Sequence, residues 1–303
     1  MPTALAIGFF QLSRVPLAMC VAGIVVSVIA LWAARTDIAR SRGLDKIVAL
    51  ANLAFAAPMA AFGALHIWGV EFVRDIVPSY MPFRLFWAYF VGVALIAASL
   101  SIAARVLVRW SGLLLGLMML LFVIVLDVPG VIATPGDRFI WTLSLRELAF
   151  ASGGLLFAAP LLSARYKSIF IPTGRIVIAI TSLFWGVQQV LHPYARPVVP
   201  LEGMMPAFIP AQLLIGYLSG AFLLVAGAFM LFGKRTRLAA TCLGGWTLLM
   251  VIVVYGPILI SALSVSDVNV NVEGINYFFD TLYFAGAVLA LAQATPANLK
   301  ASR

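Results

Sequence analysis

The chain is short of charge, cysteine and histidine. Of its 303 residues only 10% are charged, 20 Lys and Arg against 11 Asp and Glu. A soluble domain carries about 25%, so a water-facing surface could not be covered. The two cysteines, Cys20 and Cys242, lie inside apolar runs with no CxxC spacing. That excludes a disulfide framework and a dithiol relay. The two histidines, His66 and His192, have no carboxylate or histidine one helical turn away, so no metal site is expected. Walker A, GxSxG and GxGxxG motifs are absent, and no soluble catalytic domain is present. A catalytic residue cannot be named, and activity of the chain's own is left open. The net charge of +9 does not signal nucleic acid. The cations stand singly or in threes and fours between apolar runs, as topology signals do, and never form a basic stripe.

What the chain has is apolar length: 63% of residues are hydrophobic and the mean hydropathy is +1.08. A run of about 20 such residues spans a bilayer as a helix. Charged residues mark the ends of nine predicted spans, at about 15–34, 47–70, 85–104, 110–126, 139–164, 176–195, 208–233, 238–263 and 275–296. Residues 1–13 carry no positive charge before Arg14, so the first span reads as retained, not as a cleaved signal. The loops after spans one, three, five and seven, with the C-terminus, hold 14 Lys and Arg, among them Arg42, Arg105, Arg237, Lys300 and Arg303. The other side holds five: Arg14, Arg74, Arg84, Arg138 and Arg196. The positive-inside rule then places the N-terminus outside and the C-terminus in the cytoplasm of a plasma (inner) membrane.

Residues 78–129 match 206–257 at 16 of 52 positions without a gap, at an offset of 128. Pro78/Pro206, Pro82/Pro210, Tyr89/Tyr217, Gly92/Gly220, Arg109/Arg237, Gly116/Gly244 and Pro129/Pro257 carry the match. Upstream the offset is 123, with Gly63–His66 on Gly186–Gln189; downstream it is 134, with Leu148–Ala151 on Leu282–Ala285. The expected organisation is an N-terminal span and loop at 1–44, a first repeat at 45–166 (spans two to five) and a second at 167–303 (spans six to nine). Four is even, so the copies run parallel. The expected fold is all-α, one separate helix and two four-helix bundles.

The runs VPSYMPFRLFWAYFVGVALIAASLSI (77–102) and MPAFIPAQLLIGYLSGAFLLVAGAFML (205–231), with RLAATCLGGWTLLM (237–250) and GALH (63–66), resemble the DoxX family. The resemblance covers about 45–295 as two fused copies. It implies small four-helix membrane units. Because the family includes a small subunit of a thiosulfate:quinone oxidoreductase, it also implies a redox partnership. The copies differ at His66 against Gln189, and at Arg146 and Glu147 against Asp280 and Thr281.

Ionisable residues inside spans are costly and normally face the protein interior. Arg146 and Glu147 stand about two turns into the fifth span, near the depth of Asp127, His66 and Arg84. They make a polar pocket open to the outside or an ion-pair network that fixes packing. In the second copy Gln189, His192, Tyr217, Tyr255 and Asp280 form the corresponding column. Tyr89 and Tyr217 follow the proline-bounded loops by two turns and face either a pocket or the aromatic belt. Arg146 and Asp280 coincide at offset 134. They meet across the two copies if their spans line the axis; otherwise each pairs within its own copy, Asp280 with His192 or Tyr255. Haem between His66 and His192 is disfavoured because their positions are not equivalent. Gly112-xxx-Gly116, Ala88-xxx-Gly92 and their counterparts read as packing seams, and Met118, Met119 and Phe122 as core or lipid-facing.

Two functions follow. One is a redox-associated subunit holding a quinone-like or other amphiphilic ligand near the outer leaflet, with a redox partner protein carrying the electrons. The other is a transporter or lipid-handling protein; a structural subunit of a membrane complex is the blandest alternative. Membrane lipids are partners in every case.

Overall fold

A computed structural model describes residues 12–199 and 203–296; the uncharged stretch 1–11 and the cations Lys300 and Arg303 fall outside them. The described residues are helical, with no strand and one isolated bridge, Ala195 to Met204. Nine long helices follow one another: α1 Arg14–Arg40, α2 Asp45–Trp68, α3 Arg84–Ala104, α4 Val108–Ala133, α5 Arg138–Ala158, α6 Ala164–Leu191, α7 Gln212–Leu231, α8 Thr236–Leu263 and α9 Val268–Ala294. In hydrocarbon every backbone N–H and C=O must be paired within the protein, and a helix does this without leaving its own segment.

Eight of the nine are long and apolar enough to cross a membrane, against nine expected. The exception is α5, whose apolar run is diluted by Arg146 and Glu147. With 21 residues it still measures about 31 Å, and it lies antiparallel along α4. Gly112, near the start of α4, faces Gly154 near the end of α5, and Gly116 faces Ala151 and Leu155. Its partner on the other side, α6, donates from Thr181 Oγ1 to the Leu145 carbonyl.

Helices α2 and α9 form the centre: 72% and 83% of their apolar windows are buried, against 22–39% for the other six apolar spans. The first group, α2–α5, and the second, α6–α9, meet along α2–α9, α6–α5 and α5–α9. Each group thus gives its first helix to the other's last, and the two last helices face each other at the middle. Phe55 of α2, Phe150 and Phe157 of α5, and Tyr283 and Phe284 of α9 fill this centre with edge and stacked contacts. Helix α1 packs on α2 and α3 at the periphery.

Backbone irregularities recur at a spacing of 128. Left-handed residues at Phe83, Arg105 and Leu107 correspond to Ala211, Gly233 and Arg235. A π-turn at Val123–Asp127 corresponds to one at Val251–Tyr255. Its cause is Pro129 or Pro257 two residues further on. Proline has no N–H to give and its ring pushes on the carbonyl four residues back, so the turn widens. Asp137 and Asp267 cap α5 and α9 alike, each accepting from the N–H two residues on at 2.8 Å.

The two ends of the bundle differ in charge. At the basic end Arg237 donates to the Ala292 carbonyl at 2.8 Å and to Asp45 at 2.7 Å, and Arg175 donates to the Met230 carbonyl at 2.6 Å. These guanidiniums add donors to the carbonyls of the last turns of α9 and α7, where the negative end of each helix dipole lies. Arg105 pairs with Asp37 at the same end. At the opposite end Arg84 holds Asp75 and the Val77 carbonyl.

Candidate functional site

The interior charges gather where α5 meets α9. Arg146 donates to Asp280 at 2.8 Å and to Glu147 at 3.0 Å. The pair with Asp280 joins the two groups of helices, because α5 and α9 face each other. His192 is not the partner of Asp280, and the Tyr255 hydroxyl instead donates to the Pro197 carbonyl at 2.7 Å. Asp127, at the end of the α4 π-turn, lies within electrostatic reach of Glu147 and Arg146. Tyr283 stacks on Phe150 with ring centroids 3.9 Å apart, and its hydroxyl lies near Glu147. Three polar atoms here are buried without a partner: Asp127 Oδ2, Arg146 Nε and the Tyr283 hydroxyl. The arrangement fixes packing and also leaves bonding capacity unused.

His66 belongs to a different place. It lines a cavity of about 280 Å³ at the end opposite the basic one, between the C-terminus of α2, the start of α3 and the π-turn of α4. Trp87, Phe90, Met118, Leu121 and Val125 make its walls, and Val77 and Met81 of the connection 69–83 roof it. The roof is latched by Arg84 on the Val77 carbonyl and by the Trp87 indole on the Pro82 carbonyl. Tyr80 reaches the Val125 carbonyl at 3.5 Å, the carbonyl that Pro129 cannot serve. His66 Nδ1 sits 2.8 Å from the Phe62 carbonyl. A carbonyl only accepts, so Nδ1 carries a proton, and in the neutral ring Nε2 is left as an acceptor at the border of the cavity. Gly92 makes room for this ring: a Cβ there would stand 2.8 Å from that of His66.

The remaining candidates are dispersed. Tyr89 and Tyr217 are exposed on the outer faces of α3 and α7, and Tyr89 does not line the cavity although Ala88 and Phe90 do. His192 is exposed at the end of α6. Gln189 is fully buried, donating to the Ala195 carbonyl and accepting from the Val198 N–H, both at 3.2 Å. Among the described residues no three His, Cys, Asp or Glu side chains are placed to hold a metal ion. Met118 and Phe122, expected as core or lipid-facing, are cavity walls. An apolar wall and an apolar core residue have the same composition, so the sequence carried no signal for the cavity walls. No family model, no curated protein and no solved structure matches the chain.

Proposed function

We propose that this integral membrane protein is a redox-associated subunit of DoxX-like architecture. It holds a quinone-like amphiphile in the apolar cavity beside His66. The observation that carries this reading is that cavity: about 280 Å³, apolar but for one imidazole, and bordered by Trp87, Phe90 and Leu121, which are also exposed on the outside of the bundle. That is close to the size of a small-ligand pocket and suits a ring or head group whose tail continues into lipid. The Nε2 acceptor selects a ligand that donates, such as the hydroxyl of a quinol. A quinone carbonyl meets the same nitrogen without a proton between them, so the hydroxylated form is the better occupant.

The two groups of helices are read as a parallel duplication, supported by the 16 matches in 52 positions and by the backbone irregularities spaced at 128. The split of 14 Lys and Arg against five supports placing the cavity at the outer face of the inner membrane. A transporter needs a polar route onward. The buried residues of α9 beyond Tyr283, from Phe284 to Ala292, are all apolar or glycine, which supports a closed interior.

The test is mass spectrometry of small molecules extracted from protein purified in mild detergent. The wild type should retain a hydroxylated amphiphile at about one per chain. Leu121→Trp places an indole in the cavity from a half-exposed position and should cut retention about tenfold, which corresponds to about 1.4 kcal/mol. Wild type carrying only bulk phospholipid, or a variant that retains the ligand unchanged, overturns the reading.

A further inference from the structure

The second group has residues at the positions that build the cavity of the first, but among the described residues those positions are packed against other atoms. The place of the cavity is taken by backbone of the same chain. Between Gly69 and Pro78 the first group has eight residues; between the matching His192 and Pro206 the second has 13, five more, the difference between offsets 123 and 128. The extra length turns inward. Val198 and Val199 are 0% and 1% exposed, and Ala195 is bridged to Met204.

The groups that hold this segment correspond to His66, which lines the first group's cavity, and to Asp127, which follows the cavity-lining Leu126. Gln189, in the place of His66, accepts from the Val198 N–H and donates to the Ala195 carbonyl. Tyr255, in the place of Asp127, donates to the Pro197 carbonyl. Gly216, in the place of the cavity-lining Ala88, meets the backbone of Pro193, whose oxygen lies 2.0 Å from where a Cβ would be. Trp246 replaces Met118 and stacks on Phe222 at 4.4 Å. Val198 has φ +75°, a conformation that a β-branched residue avoids. Among the described left-handed non-glycine residues it alone lacks a counterpart at 128. Strain of this kind persists only where the surroundings hold it.

We propose that the second group contains a latent binding site of the same class, for an amphiphile whose head donates a hydrogen bond, and that residues 195–199 and 203–205 close it as a tethered occupant. The Val198 N–H then stands where the ligand's donor stands beside His66, and the two valines stand for its apolar body. The inference rests on the proposed ligand class of the first cavity. It makes the chain a one-site protein built on a two-site frame.

The experiment uses the full chain in detergent and a photoreactive diazirine derivative of a long-chain alcohol, with mapping of the label that excess unlabelled alcohol displaces. Two variants open the segment. One deletes residues 198–202, restoring the length of the first group's connection, and carries Trp246→Met. The other is Tyr255→Phe with Trp246→Met, which keeps the connection and removes the hydroxyl that holds the Pro197 carbonyl. Wild type should be labelled at Met118 and Leu121 and not at the matching Trp246 and Leu249. Either opened variant that keeps the wild-type helical content should gain displaceable label on α8, at about the first cavity's level. Displaceable label on α8 in the wild type overturns the closure. Folded variants with no such label overturn the latent site. Label on Met118 and Leu121 separately reads the first cavity, so failure of that proposal is distinguishable from failure of this one.

Discussion

Arg146 brings one guanidinium within reach of three carboxylates, those of Asp280, Glu147 and Asp127. A buried ion pair is not in itself a source of stability, because desolvating both partners costs about as much as their attraction returns. The asymmetry lies in removing one partner. Arg146→Leu leaves Asp280 and Glu147 facing each other in a site where each is less than a fifth exposed. The expected loss is about 3–5 kcal/mol, a fall in the thermal midpoint on the order of 10 °C, measured in detergent. Asp280→Asn in the same chain should restore part of it by removing the nearer unpaired charge. If the single variant melts with the parent, the pair carries no energetic link between the two groups of helices. The charged residues of this site were legible because an ionisable group inside an apolar run stands out. The opposite signs at offset 134 also pointed to the Arg146–Asp280 contact. The Tyr283 hydroxyl and the cavity walls were not legible. A tyrosine or methionine in a span has many uses, and a cavity is made by what neighbouring side chains fail to fill.

At the scale of elements, the closest approaches decide which helices can be central. A Cβ on Gly286 of α9 would stand 2.4 Å from the Phe55 nitrogen of α2, and one on Gly153 of α5 would stand 2.4 Å from the Phe55 ring. Small residues let helices approach until their surfaces interlock, which is the main attraction left when lipid is as apolar as the side chains. Gly286→Ala must part α2 from α9 or bend one of them, and overpacking of this kind costs about 1–3 kcal/mol. Gly136→Ala, where nothing lies within 4 Å of the new atom, is the control. The prediction is a lowered midpoint for the first and an unchanged one for the second; equal midpoints would show that the seam yields freely. The existence of the seams could be read from glycine spacing. Which seam is central could not, since Gly112-xxx-Gly116 lies on the peripheral α4 and the α2–α9 seam closes at a lone Gly286.

For the whole molecule the open count is between eight crossings and nine, and α5 decides it. By hydropathy α5 falls out, because Arg146 and Glu147 interrupt it. By packing it stays in. Its start lies with Asp127 at the opposite end, its Gly154 lies against Gly112 at the start of α4, and its charges are met by Asp280 instead of lipid. A polar pair whose partner comes from a neighbouring helix removes most of the penalty that hydropathy assigns to it. The two counts predict different sidedness for Ser41 and Lys234. Between these positions lie α2 to α7, six helices, so both residues face the same side if all cross and opposite sides if α5 does not. Single cysteines at Ser41, Lys234 and Ser266, in a chain with Cys20→Ala and Cys242→Ala, can be tested with a membrane-impermeant maleimide on intact and opened cells. Ser41→Cys and Lys234→Cys should react only after opening and Ser266→Cys before it, because the first two lie at the basic end and the third at the other. Reaction of Ser41→Cys and Lys234→Cys from opposite faces would remove α5 from the membrane. The Arg146–Asp280 pair would then have to form outside the hydrocarbon, where an ion pair of that geometry contributes about 0–1 kcal/mol and the two groups of helices would have little to hold them in register.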